Sequence, residues 1–332
     1  MNLQHRIYLL SRLGEYISGD SPDWRQVVER AGYENGWFIT EFVDSAAKNI
    51  ANSFLNREKL VAWADENHVP DSPSPPKKAG IIMAGNIPLV GFHDWMSVFI
   101  SGHIAVVKPS SRDSVLIKHL VAKIAEWDPA AAAYTEFADM LKGCDAYMAT
   151  GSNNSSRYFE FYFNKYPHII RKNRTSVAVL TGTESAAELV GLADDVYLYF
   201  GLGCRNITKI YVPEGYDFVP LLESFRKYNF LAEHHKYKNN FDYNLALHLL
   251  NKKYYMSNGS LLLVEEPGLF SPISQLNYEF YTEADKLSET LPGAEQVQSI
   301  SGSGFVPFGQ SQYPGLSDFA DGINTLAFLN TI

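Results

Sequence analysis

Apolar residues recur at helical spacing along the first seventy positions of the chain. Val43, Ala46, Ala47 and Ile50 are spaced so that one helix face carries them all. This spacing predicts a helical N-terminal segment over residues 1–70. Prolines then follow at positions 73, 75 and 76. Because proline cannot continue a helix, we place a boundary there.

Beyond these prolines the pattern changes to short, continuous apolar runs separated by amphipathic stretches. Such runs are typical of strands covered on both faces, and their alternation with helices indicates a parallel sheet. Small polar residues follow each run, at the edge where open α/β sheets bind ligands. We predict an α/β fold with a parallel-sheet domain over residues 71–183. The strand-like runs are 79–84, 104–107, 145–149 and 177–180, and the helical stretches are 94–101, 114–127 and 155–165.

A second lobe shows a looser version of the same alternation. We predict a second α/β domain over residues 184–300 and a C-terminal return segment over residues 301–332. Within the return segment, residues 325–329 are predicted to form a closing strand. The other strand-like runs are 207–212 and 261–264, and the helical stretches are 217–228 and 240–255.

Composition narrows the class of protein. With 332 residues, 46% of them apolar and 20% charged, the chain is typical of a globular protein. Its net charge of -9 argues against general nucleic-acid binding, which needs a basic surface. We see neither a signal-peptide core nor an apolar run of membrane-spanning length. We therefore expect a cytoplasmic protein, in a compartment that keeps cysteines reduced.

Cys204 is the strongest candidate for chemistry. It follows a glycine-flanked bend, Gly201-Leu202-Gly203, between a helical run and a strand-like run. A thiolate presented there is able to attack a carbonyl carbon. The alternative is a buried core cysteine, which is common in proteins.

Two strand ends in the first sheet offer further polar groups. Asn86 follows the first strand, where its amide is suited to donate to a developing oxyanion, although an ordinary turn also explains it. Lys108, Ser110 and Arg112 follow the second strand. The Lys108 ammonium and the Arg112 guanidinium suit a ribose or a phosphate. The alternative is a charged strand end followed by a helix cap.

Gly151 and Ser152 precede a helix whose first backbone N–H groups would suit a pyrophosphate. A cap without a ligand is the alternative, and the common glycine-rich dinucleotide fingerprint is missing. Glu266 ends a strand of the second lobe, where its carboxylate either faces a cleft or is solvated. We find no metal-ligand spacing, because the adjacent His234 and His235 project in different directions.

Taken in order, these pieces resemble the aldehyde dehydrogenase superfamily. Within it, the chain is most similar to the acyl-CoA reductases of the fatty-acid reductase type that supply aldehyde in bacterial luminescence. The C-terminal stretches 306–316 and 319–322 support that group. The superfamily motifs lie at Gly85 to Pro88, Gly102 to Ser110, Thr150 to Ser152, Gly203-Cys204, Glu266 with Phe270 to Pro272, and Pro307 to Gly309.

The resemblance implies a dinucleotide-binding first domain, a thiol-bearing second domain, and a role for each matching residue. Cys204 would be the acylated nucleophile, and the Asn86 amide with the Cys204 backbone N–H would form the oxyanion hole. Lys108 would hold the adenosine ribose, Ser152 and its helix start would bind the pyrophosphate, and Glu266 would orient the nicotinamide ribose. The superfamily binds its dinucleotide without the glycine-rich fingerprint.

Three departures refine this expectation. The stretch 179–184 lacks the glutamate that activates water in aldehyde-oxidising members, with Glu184 offset, which favours the reductase direction. Ser111 and Arg112 stand where oxidising members often have a ribose-binding glutamate, which favours NADPH over NADH. Pro267 to Leu269 insert extra residues behind Glu266 and make its register uncertain.

We therefore expect an NAD(P)H-dependent reductase that converts an acyl-CoA, or another acyl thioester, to an aldehyde. NAD-dependent oxidation of an aldehyde to an acid is the first alternative. A non-catalytic nucleotide-binding relative is the second. The resemblance also suggests self-association or a protein partner that donates acyl groups.

Overall fold

The computed structural model describes residues 1–73 and 75–332, and the chain divides into two compact units. The first unit comprises Met1–Asn173 together with Pro314–Ile332, and the second comprises Arg174–Tyr313. Each unit contains its own sheet. Among the described residues, we find no helix that is long and apolar enough to cross a membrane.

The N-terminal segment is helical, as the apolar spacing predicts. Its helices bury one apolar face each in the core of the first unit, with Leu10, Trp24 and Trp63 among the fully buried side chains. The first helix begins where the Asn2 side chain accepts a hydrogen bond from the His5 backbone N–H. The helices are α1 (Leu3–Ser18), α2 (Pro22–Glu34), α3 (Thr40–Asn49), which continues into a π-helical turn (Ile50–Phe54), and α4 (Arg57–Glu66).

The sheet of the first unit has five parallel strands. They are β1 (Lys78–Ile82), β2 (Ile104–Lys108), β3 (Thr135–Phe137), β4 (Ala146–Thr150) and β5 (His168–Arg171). The order across the sheet is β3-β2-β1-β4-β5, so the strand order reverses beside β1. Open α/β sheets bind ligands at such a reversal, beyond the carboxyl ends of the strands. The helices between the strands are α5 (Phe92–Ser101), α6 (Val115–Trp127) and α7 (Asn153–Phe163).

Arg6 is fully buried in α1 and bonds carbonyl groups instead of an acid. Its guanidinium donates to the carbonyls of Ile100 at 3.0 Å, Met1 at 2.6 Å, Asp71 at 3.0 Å and Pro70 at 3.2 Å. The Ile100 carbonyl lies in the last turn of α5, where helix carbonyls lack partners within the helix. Arg6 therefore joins α1 and α5 to the proline-rich boundary.

A buried ion pair fastens the end of the chain to the first unit. Arg171, the last residue of β5, donates to the Asp94 carboxylate of α5 at 2.5 Å and to the Thr325 hydroxyl at 3.0 Å. Thr325 opens a short helix, α12 (Thr325–Leu329), which the Asn324 side chain caps. The prediction of a closing strand at 325–329 was wrong. The stretch is too short to settle its periodicity, and its Asn cap favours a helix start.

The second unit is built on six strands. They are β6 (Thr175–Val179), β7 (Ile207–Pro213), β8 (Met256–Ser257), β9 (Leu262–Glu265), β10 (Gln275–Tyr281) and β11 (Val297–Gly302). The order is β11-β6-β7-β10-β9-β8, and every pairing is parallel except that of β8 with β9. The helices are α8 (Ala186–Tyr197), α9 (Val219–Ser224), α10 (His235–Leu250) and α11 (Ala284–Thr290).

The division between the units differs from the sequence-based one. The run at 177–180 reads as a fourth strand of the first sheet, but it forms β6 and pairs with β7 and β11. The chain passes from the first unit to the second between Asn173 and Arg174 instead of between residues 183 and 184, and it returns to the first unit between Tyr313 and Pro314. Apolar character alone does not tell which sheet a buried strand joins, since both sheets bury their strands.

The buried ion pair yields a stability prediction. Replacing Asp94 with alanine leaves the Arg171 guanidinium buried without its carboxylate, so we expect the free energy of unfolding in urea to fall by roughly 3–5 kcal/mol. The matched control is Glu34→Ala, which removes an exposed pair with Arg30 and should lower it by about 0.5 kcal/mol at most. Equal effects of the two substitutions would contradict the role given to Asp94.

Candidate active site

Cys204 lies in a turn that enters β7, and the residue is partly exposed. The backbone before it is unusual, because Tyr199, Phe200 and Gly201 are all left-handed, with φ values of 56°, 58° and 74°. Non-glycine residues in this region are strained by about 1–3 kcal/mol each, and surrounding packing must hold them. The Phe200 ring supplies such packing, with its centroid 4.6 Å from that of His234.

Asn206 holds this turn through its side-chain amide. Its carbonyl oxygen accepts from the Gly203 backbone N–H at 2.8 Å. Its amide nitrogen lies within 2.8 Å of the Leu198 carbonyl, 3.0 Å of the Asp195 carbonyl and 3.3 Å of the Val196 carbonyl. The side chain is fully buried, so each of these bonds is shielded from water. One residue thus joins the end of α8 to the peptide that precedes Cys204.

A second bond fixes the peptide on the other side of the cysteine. The Ser176 hydroxyl of β6 donates to the Cys204 carbonyl at 3.0 Å. Ser176 is itself fully buried. The backbone on both sides of the thiol is therefore held by side chains of the second unit. Neither residue is among the candidates predicted from the sequence. The signal for Asn206 is its position as a polar residue just before an apolar strand.

In the first unit, the sheet brings three predicted segments to one edge. Asn86 follows β1, Lys108 ends β2, and Gly151 with Ser152 follows β4. Because β2, β1 and β4 are parallel neighbours, their carboxyl ends lie side by side. This edge is also where the strand order reverses, which is the position of ligand crevices in open α/β sheets.

The segments after β1 and β2 are in direct contact. A Cβ atom on Gly85 would lie 2.5 Å from the Ser110 hydroxyl and 3.2 Å from the Arg112 Cβ atom. Only glycine therefore allows the backbone before Asn86 to approach the segment that follows Lys108. The Ser110 hydroxyl accepts from the Arg112 backbone N–H at 3.2 Å, while Lys108 and Arg112 are both exposed.

Asp113 fastens the loop that carries Asn86. Its carboxylate accepts from the Leu89 backbone N–H at 2.6 Å, and Leu89 is held at a left-handed φ of 58°. The other carboxylate oxygen is buried and has no hydrogen-bond partner among the described residues. Burial raises the pKa of Asp113 to about 7, while the bond from Leu89 opposes the rise.

The start of α7 matches the sequence-based expectation. Ser152 is the N-cap, and its hydroxyl accepts from the Ser155 backbone N–H at 3.3 Å. A Cβ atom on Gly151 would lie 2.9 Å from the Phe159 ring, so a larger residue there would force that ring to shift. The remaining N–H groups of the first turn give this end of α7 a partial positive charge.

Glu266 follows β9, at the start of the loop that leads to β10. Its carboxylate pairs with the Lys253 ammonium at 2.5 Å, and the hydrogen bond from Lys253 lowers the pKa of Glu266. It follows the carboxyl end of β9, whereas Cys204 precedes the amino end of β7, and both strands run parallel to β10. The sheet therefore does not bring Glu266 to the end at which Cys204 lies.

The loop behind Glu266 instead returns toward the Cys204 end. Its four carbonyls from Pro267 to Phe270 all accept bonds from buried or half-buried side chains of the sheet. Lys209 donates to Pro267 at 2.7 Å, Thr208 to Leu269 at 2.7 Å, and Asn277 to Gly268 at 2.9 Å and to Phe270 at 3.2 Å. The insertion that the sequence analysis notes at 267–269 is thus an ordered structure.

That returning loop and the strained turn line one small cavity of about 20 Å³. Phe200 and Gly201 contribute from the turn, and Ser271 and Pro272 contribute from the loop. The volume is close to that of one water molecule. The Ser271-Pro272 motif therefore packs beside the turn that precedes Cys204.

Glu184 is engaged by its own turn. Its carboxylate accepts from the backbone N–H of Thr181 and from the Thr181 hydroxyl at 2.8 Å, and from the backbone N–H of Gly182 at 3.1 Å. His234 also has a local role, because its ring accepts from the Tyr237 backbone N–H at the start of α10. Within the described part of the chain, no group of three His, Cys, Asp or Glu side chains is arranged to hold a metal.

Known proteins with a similar fold are found among solved structures. No protein-family model and no curated protein matches the chain. Solved structures do match, each over 91% of this chain. An oxidoreductase from Marinobacter aquaeolei is 11% identical over 73% of its own length, with a TM-score of 0.65. An NAD-dependent benzaldehyde dehydrogenase from Corynebacterium glutamicum is 14% identical over 76%, with a TM-score of 0.65. An aldehyde dehydrogenase from Mycobacterium tuberculosis, complexed with NAD+, is 12% identical over 73%, with a TM-score of 0.63.

These likenesses establish the fold predicted from the sequence. The chain has the α/β fold of aldehyde dehydrogenases, with a parallel sheet in the first unit, a second sheet that includes one antiparallel pair, and helices at the N-terminus.

Asp113 yields a pH prediction. Between about pH 4 and pH 7 the folded chain keeps a proton on Asp113 that the unfolded chain has released, so this group makes the free energy of unfolding fall as pH rises through that window. Asp113→Asn keeps an acceptor for Leu89 but does not titrate. As pH rises from about 4 to about 7, we expect the free energy of unfolding of the variant to increase by roughly 2–4 kcal/mol relative to that of the parent chain. Urea unfolding at several pH values measures this difference.

The matched control is Asp139→Asn, at an exposed position of the same unit. Its pH curve should run parallel to that of the parent chain. Parallel curves for Asp113→Asn as well would show that Asp113 is not protonated in the folded state.

Proposed function

We propose that this protein is an NAD(P)H-dependent reductase that converts an acyl-CoA thioester to an aldehyde through an acyl group carried on Cys204. The observation that supports it most strongly is the Cys204 turn. In an aldehyde dehydrogenase fold, this partly exposed thiol is held between the Asn206 and Ser176 bonds, after strained left-handed residues. Strain maintained around a nucleophile is typical of a functional site.

In the first half-reaction the Cys204 thiolate attacks the carbonyl carbon of the thioester. The negative charge moves to the carbonyl oxygen, which hydrogen-bond donors stabilise. The family resemblance assigns that role to the Asn86 amide and the Cys204 backbone N–H. The bond from carbon to the CoA sulfur then breaks. CoA leaves as a thiolate and takes a proton from solvent, and the acyl group remains on Cys204.

The first unit suits the dinucleotide that the second half-reaction requires. The capped start of α7 offers backbone N–H groups and a partial positive charge to a pyrophosphate, with Ser152 and Gly151 at its entrance. Lys108 is exposed at the carboxyl end of β2 for a ribose, and Arg112 is exposed for a 2′-phosphate, which favours NADPH. The reduced nicotinamide, when bound, supplies the hydride that converts the acyl carbonyl carbon to the aldehyde and regenerates the Cys204 thiolate.

The state of Glu184 favours reduction over oxidation of an aldehyde to an acid. Oxidation needs a base that activates water for hydrolysis of the acyl group. The Glu184 carboxylate accepts bonds from the backbone and hydroxyl of its own turn, so it is occupied in a structural role. Without such a base, the acyl group on Cys204 persists until hydride arrives.

The decisive experiment is intact-protein mass spectrometry with acyl-CoAs of several chain lengths and no reductant. We expect one acyl adduct, located on Cys204 by peptide mapping, which disappears with release of aldehyde when NADPH is added. NADH is compared in parallel. Cys204→Ser should form no such thioester adduct, because the hydroxyl is a much weaker nucleophile.

Asn86→Ala tests the oxyanion assignment in the same assay. Loss of one oxyanion donor typically slows the chemistry about 100- to 1,000-fold, so adduct formation should slow by that factor while the fold is retained. The control is Asn52→Ala, at an exposed position of the N-terminal helices. Absence of an adduct from every thioester, or faster oxidation of aldehyde to acid than reduction of acyl-CoA, would overturn the proposal.

A further inference from the structure

The Ser311 hydroxyl lies between two acceptors. Its oxygen is 2.7 Å from the Asp195 carboxylate and 3.0 Å from the Arg205 carbonyl. A serine hydroxyl has a single hydrogen and donates one full hydrogen bond. Arg205 directly follows Cys204, so one of these acceptors belongs to the turn that carries the thiol.

Asp195 is buried at the end of α8 without a cation. Its carboxylate accepts from the Gly309 backbone N–H at 2.7 Å and from the Ser311 backbone N–H at 3.0 Å. The side chain is fully buried, and no ion pair in the described part of the chain includes it. A carboxylate near a helix C-terminus also faces the negative end of the helix dipole. Burial without a cation and the helix dipole disfavour the charged form, whereas the two bonds from backbone N–H groups favour it.

The approach of the return segment to Asp195 is built into the backbone. Gly309 has a left-handed φ of 82°, and a Cβ atom there would lie 2.9 Å from the Cα atom of Gly191 on α8. A Cβ atom on Gly191 would lie 2.8 Å from the Phe308 carbonyl oxygen. Two glycines thus permit the contact that brings Gly309 and Ser311 to the carboxyl group.

Counting hydrogens gives two arrangements of this network. When Asp195 is protonated, its O–H donates to the Ser311 oxygen, and the Ser311 hydrogen is left to bond the Arg205 carbonyl. When Asp195 is ionised, the carboxylate is the stronger acceptor and takes the Ser311 hydrogen. The Arg205 carbonyl then loses that donor.

We propose that Asp195 is a proton-dependent positioning residue for the Cys204 turn, because its protonation state decides whether the Ser311 hydroxyl bonds Arg205 or Asp195. The inference rests on the proposed role of Cys204 and adds regulation to it. In the protonated form the turn is held by Ser311 as well as by Asn206. In the ionised form the turn loses the Ser311 bond and opens more readily.

The charges around Asp195 place its titration in an accessible range. Burial, with a smaller contribution from the neighbouring Asp194, raises the pKa of Asp195 to about 6 against the opposing bonds from Ser311 and Gly309. Asp194 is itself paired with Lys227 and accepts from the Tyr228 hydroxyl. Tyr313 and Arg205 are the other titratable or charged residues adjoining this network in the chain.

The test compares thiol reactivity in the parent chain and in Ser311→Ala, both with Cys144→Ala so that Cys204 alone reacts. The probe is 2,2′-dithiodipyridine, which reports thiolates into the acid range. Dividing the reaction rate of the parent by that of the variant removes the pH dependence that both rates share through ionisation of the thiol. We expect the parent to react about five times more slowly than the variant at about pH 5 and at a similar rate at about pH 7.5, with the change centred near pH 6.

Two further variants test whether the Ser311 bond responds to protonation of Asp195 or only stabilises the turn. Ser311→Thr keeps the hydroxyl and should restore the pH-dependent ratio. Asp195→Asn cannot ionise, so its reactivity relative to Ser311→Ala should not change with pH. Ser299→Ala, at a buried serine of β11, is the matched control and should follow the parent chain.

A ratio for Ser311→Ala that stays constant with pH would overturn this inference. Because the probe is not a substrate, that outcome is independent of whether acyl-CoA labels Cys204. Conversely, a pH-dependent ratio in a protein that forms no acyl adduct would support the switch while refuting the proposed reaction.

Discussion

The Asn206 amide is the interaction on which the candidate site depends. Its buried side chain bonds both the backbone N–H of Gly203, just before Cys204, and the carbonyls at the end of α8. The left-handed residues Tyr199 and Phe200 lie between those two ends, and their strain must be offset by bonds that the loop cannot replace with water. Without the amide, the Gly203 N–H and the carbonyls at the end of α8 would lose a hydrogen-bond partner together. The strained turn that carries the thiol would then be destabilised.

The first unit also contains a buried polar side chain that bonds the backbone of a loop. Asp113 reaches back to the backbone N–H of Leu89, another left-handed residue, and so holds the loop that carries Asn86. In both units, a buried polar side chain bonds the backbone of a loop that carries a proposed catalytic residue, and this bond helps to fix the shape of the loop. Groups held in this way need little reorganisation during a reaction, which is how preorganised sites stabilise developing charge.

Sequence reasoning reached the fold and the strand ends but not the supporting bonds. Continuous apolar runs identified β1, β2 and β4 because those strands are buried on both faces, and the parallel arrangement then predicted that Asn86, Lys108 and Ser152 share one edge. The same runs did not show that β6 belongs to the second sheet, since pairing is a tertiary property. The ion pair of Glu266 with Lys253 was not predicted either, because Lys253 lies on a neighbouring loop that no local pattern connects to Glu266.

The most direct test of the account is amide hydrogen exchange in Asn206→Ala, with Asn240→Ala as the control because its amide bonds a carbonyl within one exposed helix. We expect peptides covering residues 196–206 to exchange at least about ten times faster in Asn206→Ala, because buried bonds worth more than about 1.4 kcal/mol are lost. Exchange in the strands of the sheet and in the control variant should stay unchanged. Exchange in that segment equal to that of the parent chain would contradict the claim that this amide holds the Cys204 turn.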